Sequence, residues 1–192
     1  MTLALVTPPE QEPVTLDELK AFASVDFADD NDLLSALGAA AREFVESVTG
    51  TALATQTWEL TARSWPADVI ALPKLPLQSI ESVKYRDADG VLTTLTAEQD
   101  YIAHIAGGTL EPFTSWPVVG DYPDAVQIRF TAGHETTASV PERLKTAIKA
   151  LALHWFDNRH PVADSDGATR RVPLHVKALL AQVRGGRLEA LS

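Results

Sequence analysis

The period of the apolar residues changes along the chain, and each change marks a different kind of element. Thr15-Leu16-Asp17-Glu18 has the form of a capping box and predicts a short helix over 15–25. Asp29, Asp30 and Asp32 then stand where the positive end of a second helix dipole would lie. Leu33, Leu37, Ala40, Ala41, Phe44 and Val48 follow at i, i+4, i+7, i+8, i+11 and i+15. This spacing predicts an amphipathic helix of about five turns over 29–48, buried along that stripe. Gly50 ends it from the position beyond the C cap.

From 51 to 133 the helical period is lost. Short runs rich in β-branched and aromatic residues replace it: 57–61, 69–72, 80–86, 91–95, 101–105 and 126–131. Trp65-Pro66, Leu72-Pro73, Leu75-Pro76, Asp89-Gly90, Gly107-Gly108, Trp116-Pro117 and Tyr122-Pro123 punctuate the runs as turns. The clearest hairpin joins 83–86 to 91–95 through Asp87-Ala88-Asp89-Gly90, with Gly90 free to take a positive φ. An antiparallel sheet or small sandwich is expected. The helical period returns after Pro141, where Leu144, Ile148, Leu151 and Trp155 form a stripe with Ala147 beside it, up to His160-Pro161. A polar stretch over 162–172 and a short helix over 173–184, ending at Gly185-Gly186, complete the chain. The fold class is α+β: a helical core (13–50 and 140–160), an inserted antiparallel β-module (51–133) and a C-terminal helix or tail (161–192).

Composition narrows the function. With 45% hydrophobic and 22% charged residues, the chain can build a core. No apolar run exceeds four residues, and MTLALVTPPE lacks the basic-then-apolar order of a signal peptide, so a cytosolic protein without a membrane span is expected. The absence of cysteine excludes disulfides, thiolate metal sites and thiol nucleophiles. The net charge of −10 argues against phosphate-backbone binding as the main function. The charge is unevenly placed: residues 1–140 hold 7 basic and 21 acidic side chains, a net −14, whereas 141–192 hold 9 and 5, a net +4. Opposite signs suit different partners at the two ends, or a contact of one end with the other across a subunit boundary.

The candidate chemistry is thin. His134-Glu135-Thr136-Thr137-Ala138 begins like a zinc-protease helix, but Ala138 stands where the second histidine is needed. His154, Asp157 and His160 share one side of a helix and are geometrically capable of holding a metal, as in a hydrolase. Asp87-Ala88-Asp89-Gly90 and Asp164-Ser165-Asp166-Gly167 imitate the start of a calcium loop without its later ligands. Trp58, Trp65 and Trp116 offer a platform for a carbohydrate, the basis of an alternative reading as a carbohydrate- or ligand-binding β-module protein. No phosphate loop, nucleophile elbow or dinucleotide fingerprint is present, so neither an enzyme nor a cofactor is expected.

The order of the motifs carries a resemblance. Val14-Thr15-Leu16-Asp17-Glu18-Leu19-Lys20, Asp30-Asn31-Asp32-Leu33-Leu34, the run from Ala39 to Glu46, Thr49-Gly50 and the run from Thr55 to Leu60 occur in sequence. They are followed by the proline-rich run from Leu72 to Ile80, then Arg129-Phe130-Thr131-Ala132-Gly133, and a helix from Val140-Pro141 to Arg159. Together, over about 13–160, they resemble the head-tail connector (adaptor) family of tailed bacteriophages and phage-derived gene transfer agents. The resemblance implies a non-catalytic ring, dodecameric in the family, seated beneath the capsid portal in the neck of a particle assembled in the bacterial cytoplasm. The helices would lie in the ring body and the C-terminal segment would reach toward the portal protein. It also implies a tail-side stopper or tail terminator as second partner, and DNA passing through the channel without specific binding. The acidic body is suited to such a channel, because like charge disfavours adsorption. Arg170, Arg171, Lys177, Arg184 and Arg187 are then the expected portal-docking residues, anchoring the tail to an acidic neighbour.

Overall fold

The computed structural model describes residues 1–24 and 29–158, with Val176 and Ala178 beyond them. These fall into two compact units, residues 1–11 with 54–135 and residues 12–53 with 136–192.

In the helical unit, α1 (Leu16–Ala23), α2 (Asn31–Thr49) and α3 (Glu142–Asp157) enclose a core of Val14, Leu19, Ala41, Val45, Leu53, Leu144, Ala147, Ile148 and Leu151. The capping box forms as expected. The Glu18 amide donates to the Thr15 hydroxyl at 3.2 Å, and the Thr15 amide donates to the Glu18 carboxylate at 2.8 Å. That backbone hydrogen bond holds the Glu18 carboxyl below its ordinary range. The folded value being the lower one, the contribution is complete above roughly pH 4.3, the ordinary glutamate value, and fades as pH falls through the lowered value. Thr15→Ala is expected to cost about 1 kcal/mol in urea denaturation at pH 7. A loss of stability under about 0.3 kcal/mol would show that the cap does not hold α1.

α2 buries a different face from the one its apolar period predicts. Of the expected stripe only Ala41 is fully buried; Leu33 and Ala40 are exposed, and Leu37, Phe44 and Val48 are half-buried at the rim of the core. The buried set is Leu34, Gly38, Ala41, Arg42, Val45, Glu46 and Thr49, turned by one position, or about 100°. Two local facts explain the turn. α1 comes so close at Gly38 that a Cβ there would lie 2.7 Å from Leu19 Cδ1. The buried face also contains Arg42 and Glu46, which an apolar count assigns to solvent. Arg42 Nη1 donates to Glu46 Oε2 at 2.8 Å, Arg42 Nε donates to Glu12 at 2.8 Å, and Glu46 Oε1 accepts the Leu53 amide at 2.7 Å. Burial opposes the Arg42 charge, but the hydrogen bond it donates to Glu12 and the field of Glu46 outweigh it and raise its pKa. α3 follows its predicted stripe, with Leu144, Ala147, Ile148 and Leu151 buried and Trp155 edge-on to Phe44 at 6.3 Å. Val176, helical and fully buried in the same core, and Ala178, also helical, fall inside the helix expected over 173–184.

The β unit contains two antiparallel sheets. The larger has the order β1-β2-β8-β4-β5, formed by Thr2–Thr7, Gln56–Ala62, Val126–Ala132, Leu77–Arg86 and Leu92–Leu95. The smaller has the order β3-β7-β6, from Ile70–Ala71, Thr109–Pro112 and Tyr101–His104. Along β8 burial alternates strictly, with Val126, Ile128, Phe130 and Ala132 inward. On the other face Arg129 pairs with Glu59 at 2.6 Å, and Glu81 accepts from Thr57 and Thr131 at 3.1 and 2.8 Å. Each expected strand has an observed counterpart, with ends displaced by up to three residues. Two strands carry no alternating signal. β1 is exposed along nearly its whole length, and β7 is a four-residue strand ending in Pro112, paired with β6 through the turn at Gly107-Gly108.

Candidate assembly surfaces

Several of the residues singled out for chemistry are occupied in holding the fold. His134 and Glu135 lie in the connection after β8, not on a helix, and burial lowers the His134 pKa. His154 and Asp157 end α3, where the His154 carbonyl accepts from the Asn158 side-chain amide at 2.7 Å; His160 lies outside the described residues. Among the described residues no three His, Asp or Glu side chains converge on a metal position. Asp87 works as a turn residue: its carboxylate accepts the amides of Asp89 and Val91 at 3.0 and 2.9 Å, and Gly90 takes φ +83°. Asp164-Ser165-Asp166-Gly167 falls outside the described residues.

The tryptophans do not make one platform. Trp65 and Trp116 stack on each other, centroids 4.3 Å apart and planes at 15°. Their indole N–H groups donate to backbone carbonyls, Trp65 to Pro117 at 2.8 Å and Trp116 to Asp68 at 2.9 Å. Each ring thus spends one face and its polar handle on tying the 65–69 and 113–118 loops together. Trp58 lies within β2, with the Lys74 ammonium 4.9 Å from its ring centroid.

Among its exposed residues the surface also displays apolar side chains. Beside the stacked tryptophans, Val69, Phe113 and Val118 are exposed, Val118 at 87%. On the helical unit Phe22 and Leu33 are exposed, and Leu33 continues into the half-buried flank of α2. Exposed apolar side chains mark association surfaces where they are contiguous, not where they are scattered singly. Among the described residues no helix is long and apolar enough to cross a membrane. The basic residues expected to dock, Arg170, Arg171, Lys177, Arg184 and Arg187, lie outside the described residues.

An α+β chain whose stacked Trp65 and Trp116 tie loops together while apolar side chains such as Val118 face outward has the character of an assembly component. The profile of the head completion protein family matches residues 12–181, and the chain belongs to that family. It is similar to a chain in the neck of an empty gene transfer agent particle solved with C6 symmetry, at 26% identity and TM-score 0.77, covering 96% of this chain and 95% of that one. A chain in the virion of a native gene transfer agent particle matches at 25% identity and TM-score 0.75, with the same coverage. A chain in the neck of the native particle solved with C12 symmetry matches at 25% identity and TM-score 0.72, again over 96% and 95%. No curated protein matches the chain. The family and these likenesses agree with the order of motifs from Val14 to Arg159: the protein is a head-tail connector.

Proposed function

We propose that copies of this protein close into a ring beneath a capsid portal, join it to a tail-side stopper or terminator protein, and surround the channel through which DNA passes. The observation that carries the reading is the nearly complete two-way coverage of chains found in particle necks. The C6 and C12 symmetry of those necks supports a ring, with twelve subunits satisfying both. The apolar flank of α2 and the loop cluster at Phe113 and Val118 are suited to contacts made on assembly. Residues 1–140, at net −14, suit a body that DNA passes without adhering. The basic tail residues Arg170, Arg171, Lys177, Arg184 and Arg187 are assigned to an acidic surface of the portal.

Electron microscopy of the protein mixed with the portal protein of the same particle, beside the protein alone, tests this. A closed ring on the portal axis is expected, formed by the wild type and weakened when Arg170, Arg171 and Arg184 are reversed to glutamate. Protein that ignores the portal at high concentration would overturn the connector function. Undiminished docking by the reversed variant would overturn the tail assignment alone.

A further inference from the structure

The five-stranded sheet keeps its charges away from its edges. Glu59 is on β2, Arg129 on β8, and Glu81, Lys84 and Arg86 on β4, all interior strands. The edge strands β1 (TLALVT) and β5 (LTTL) contain no charged residue and no proline. Proteins that must stay apart do the reverse, placing lysine, proline or inward charge on edge strands to block pairing with another chain. Both edges are also at the surface. All of β1 except Leu3 is exposed, as are Leu92, Thr93 and Thr94 of β5 and Val91 before it.

Two protective features are present, and they set the size of the template. A register shift between Leu5 and Thr7 restricts regular pairing of β1 to Thr2–Leu5, and β5 is itself four residues long. The outward N–H and C=O groups of both stretches have no strand opposite them among the described residues.

We propose that β1 of one copy pairs with β5 of the next, so that the sheet continues from subunit to subunit. A second copy is the fitting occupant because the two edges are on opposite sides of one sheet and are matched in length and in lack of charge. Contact between two different patches of the same chain is heterologous, the kind that propagates and closes into a ring when the rotation permits. This rests on the ring described under Proposed function and adds which surfaces meet. A junction of four residues is weak alone, in keeping with subunits that join firmly only when a portal holds many of them together.

The chain has no cysteine, so cross-links report introduced thiols alone. Full-length protein carrying both Ala4→Cys and Thr93→Cys is assembled on portal, verified by microscopy, and treated with a bifunctional maleimide reaching about 8 Å, the span of diagonal cross-strand neighbours. The double variant is expected to give a denaturant-resistant ladder extending beyond dimer, the two single variants mixed together to give dimer only, and each single variant to stay monomeric. A second variant, Ala4→Lys with Thr94→Lys, places charge on both edges; it is expected to need at least tenfold more protein to form rings while keeping the wild-type melting temperature. Rings that form without a ladder, and that form equally well from the lysine variant, would overturn the edge pairing and leave the connector function standing. Failure of the wild type to form rings on portal would overturn both.

Discussion

Gly133→Ala is expected to lower the stability of the β unit by about 3 kcal/mol, the combined scale of a strained backbone and a steric overlap. Gly133 follows β8 at φ +124°, a region that residues with a side chain rarely adopt. A Cβ there would overlap the Ala54 carbonyl and lie 2.8 Å from the Thr55 amide nitrogen, so the obstacle is backbone and has no rotamer to change. The position is also held in place: its amide donates to the Pro76 carbonyl at 2.8 Å, and its carbonyl accepts from Gln78 Nε2 at 2.8 Å. Relief of the overlap would disturb both bonds. For a chain of this size the cost corresponds to a fall in melting temperature of roughly 6–12 °C. Gly107→Ala is the control, since the nearest atom to its Cβ would be 3.7 Å away; that substitution is expected to change stability by no more than about 0.5 kcal/mol. Equal effects at the two glycines would refute the account.

Arg42→Met is expected to destabilise the helical unit by about 3–5 kcal/mol, the usual cost of removing one partner of a buried ion pair. Arg42 and Glu46 are 5% and 4% exposed at their side chains, so neither charge has water to fall back on. The pair also reaches the points where the chain passes from one unit to the other. Arg42 binds Glu12, the first residue of the helical unit, and Glu46 holds the amide of Leu53, the last before the β unit resumes. Pairing Arg42→Met with Glu46→Gln should recover part of the loss. The amide oxygen still accepts from Leu53, and the uncompensated buried charge is gone. Urea unfolding of Arg42→Met, Glu46→Gln and the double variant decides the matter. If the double variant is as unstable as the sum of its single substitutions, then buried charge is not the cause of the loss.

Arg42 illustrates why part of the fold is readable in the chain and part is not. The capping box at Thr15 and the glycine stop at Gly50 depend on neighbours in sequence, and both form where the local pattern places them. The Asp87–Gly90 turn and the alternation along β8 are local in the same sense. The buried face of α2 depends instead on what packs against it. Its apolar flank is wide enough to allow two orientations. The choice between them comes from the close approach of Leu19 at Gly38 and from carboxylates 4 and 30 positions away that make Arg42 a core residue.

The candidate site divides along the same line. Family membership was legible in the order of motifs from Val14 to Arg159, because order survives where no single motif is distinctive. The tryptophans read as a platform by residue type, and their stacking across 51 positions of chain assigns two of them to tying loops together. The β1 edge left no periodic trace, because alternation records burial on one face and this strand is exposed on nearly all sides. Helix ends, turns, strand periods and membership of the connector family thus follow from residues near one another or in fixed order. The face α2 buries, the task of each tryptophan and the uncharged edges of the sheet were settled by contacts between distant segments, since burial and strand pairing are properties of neighbours in space.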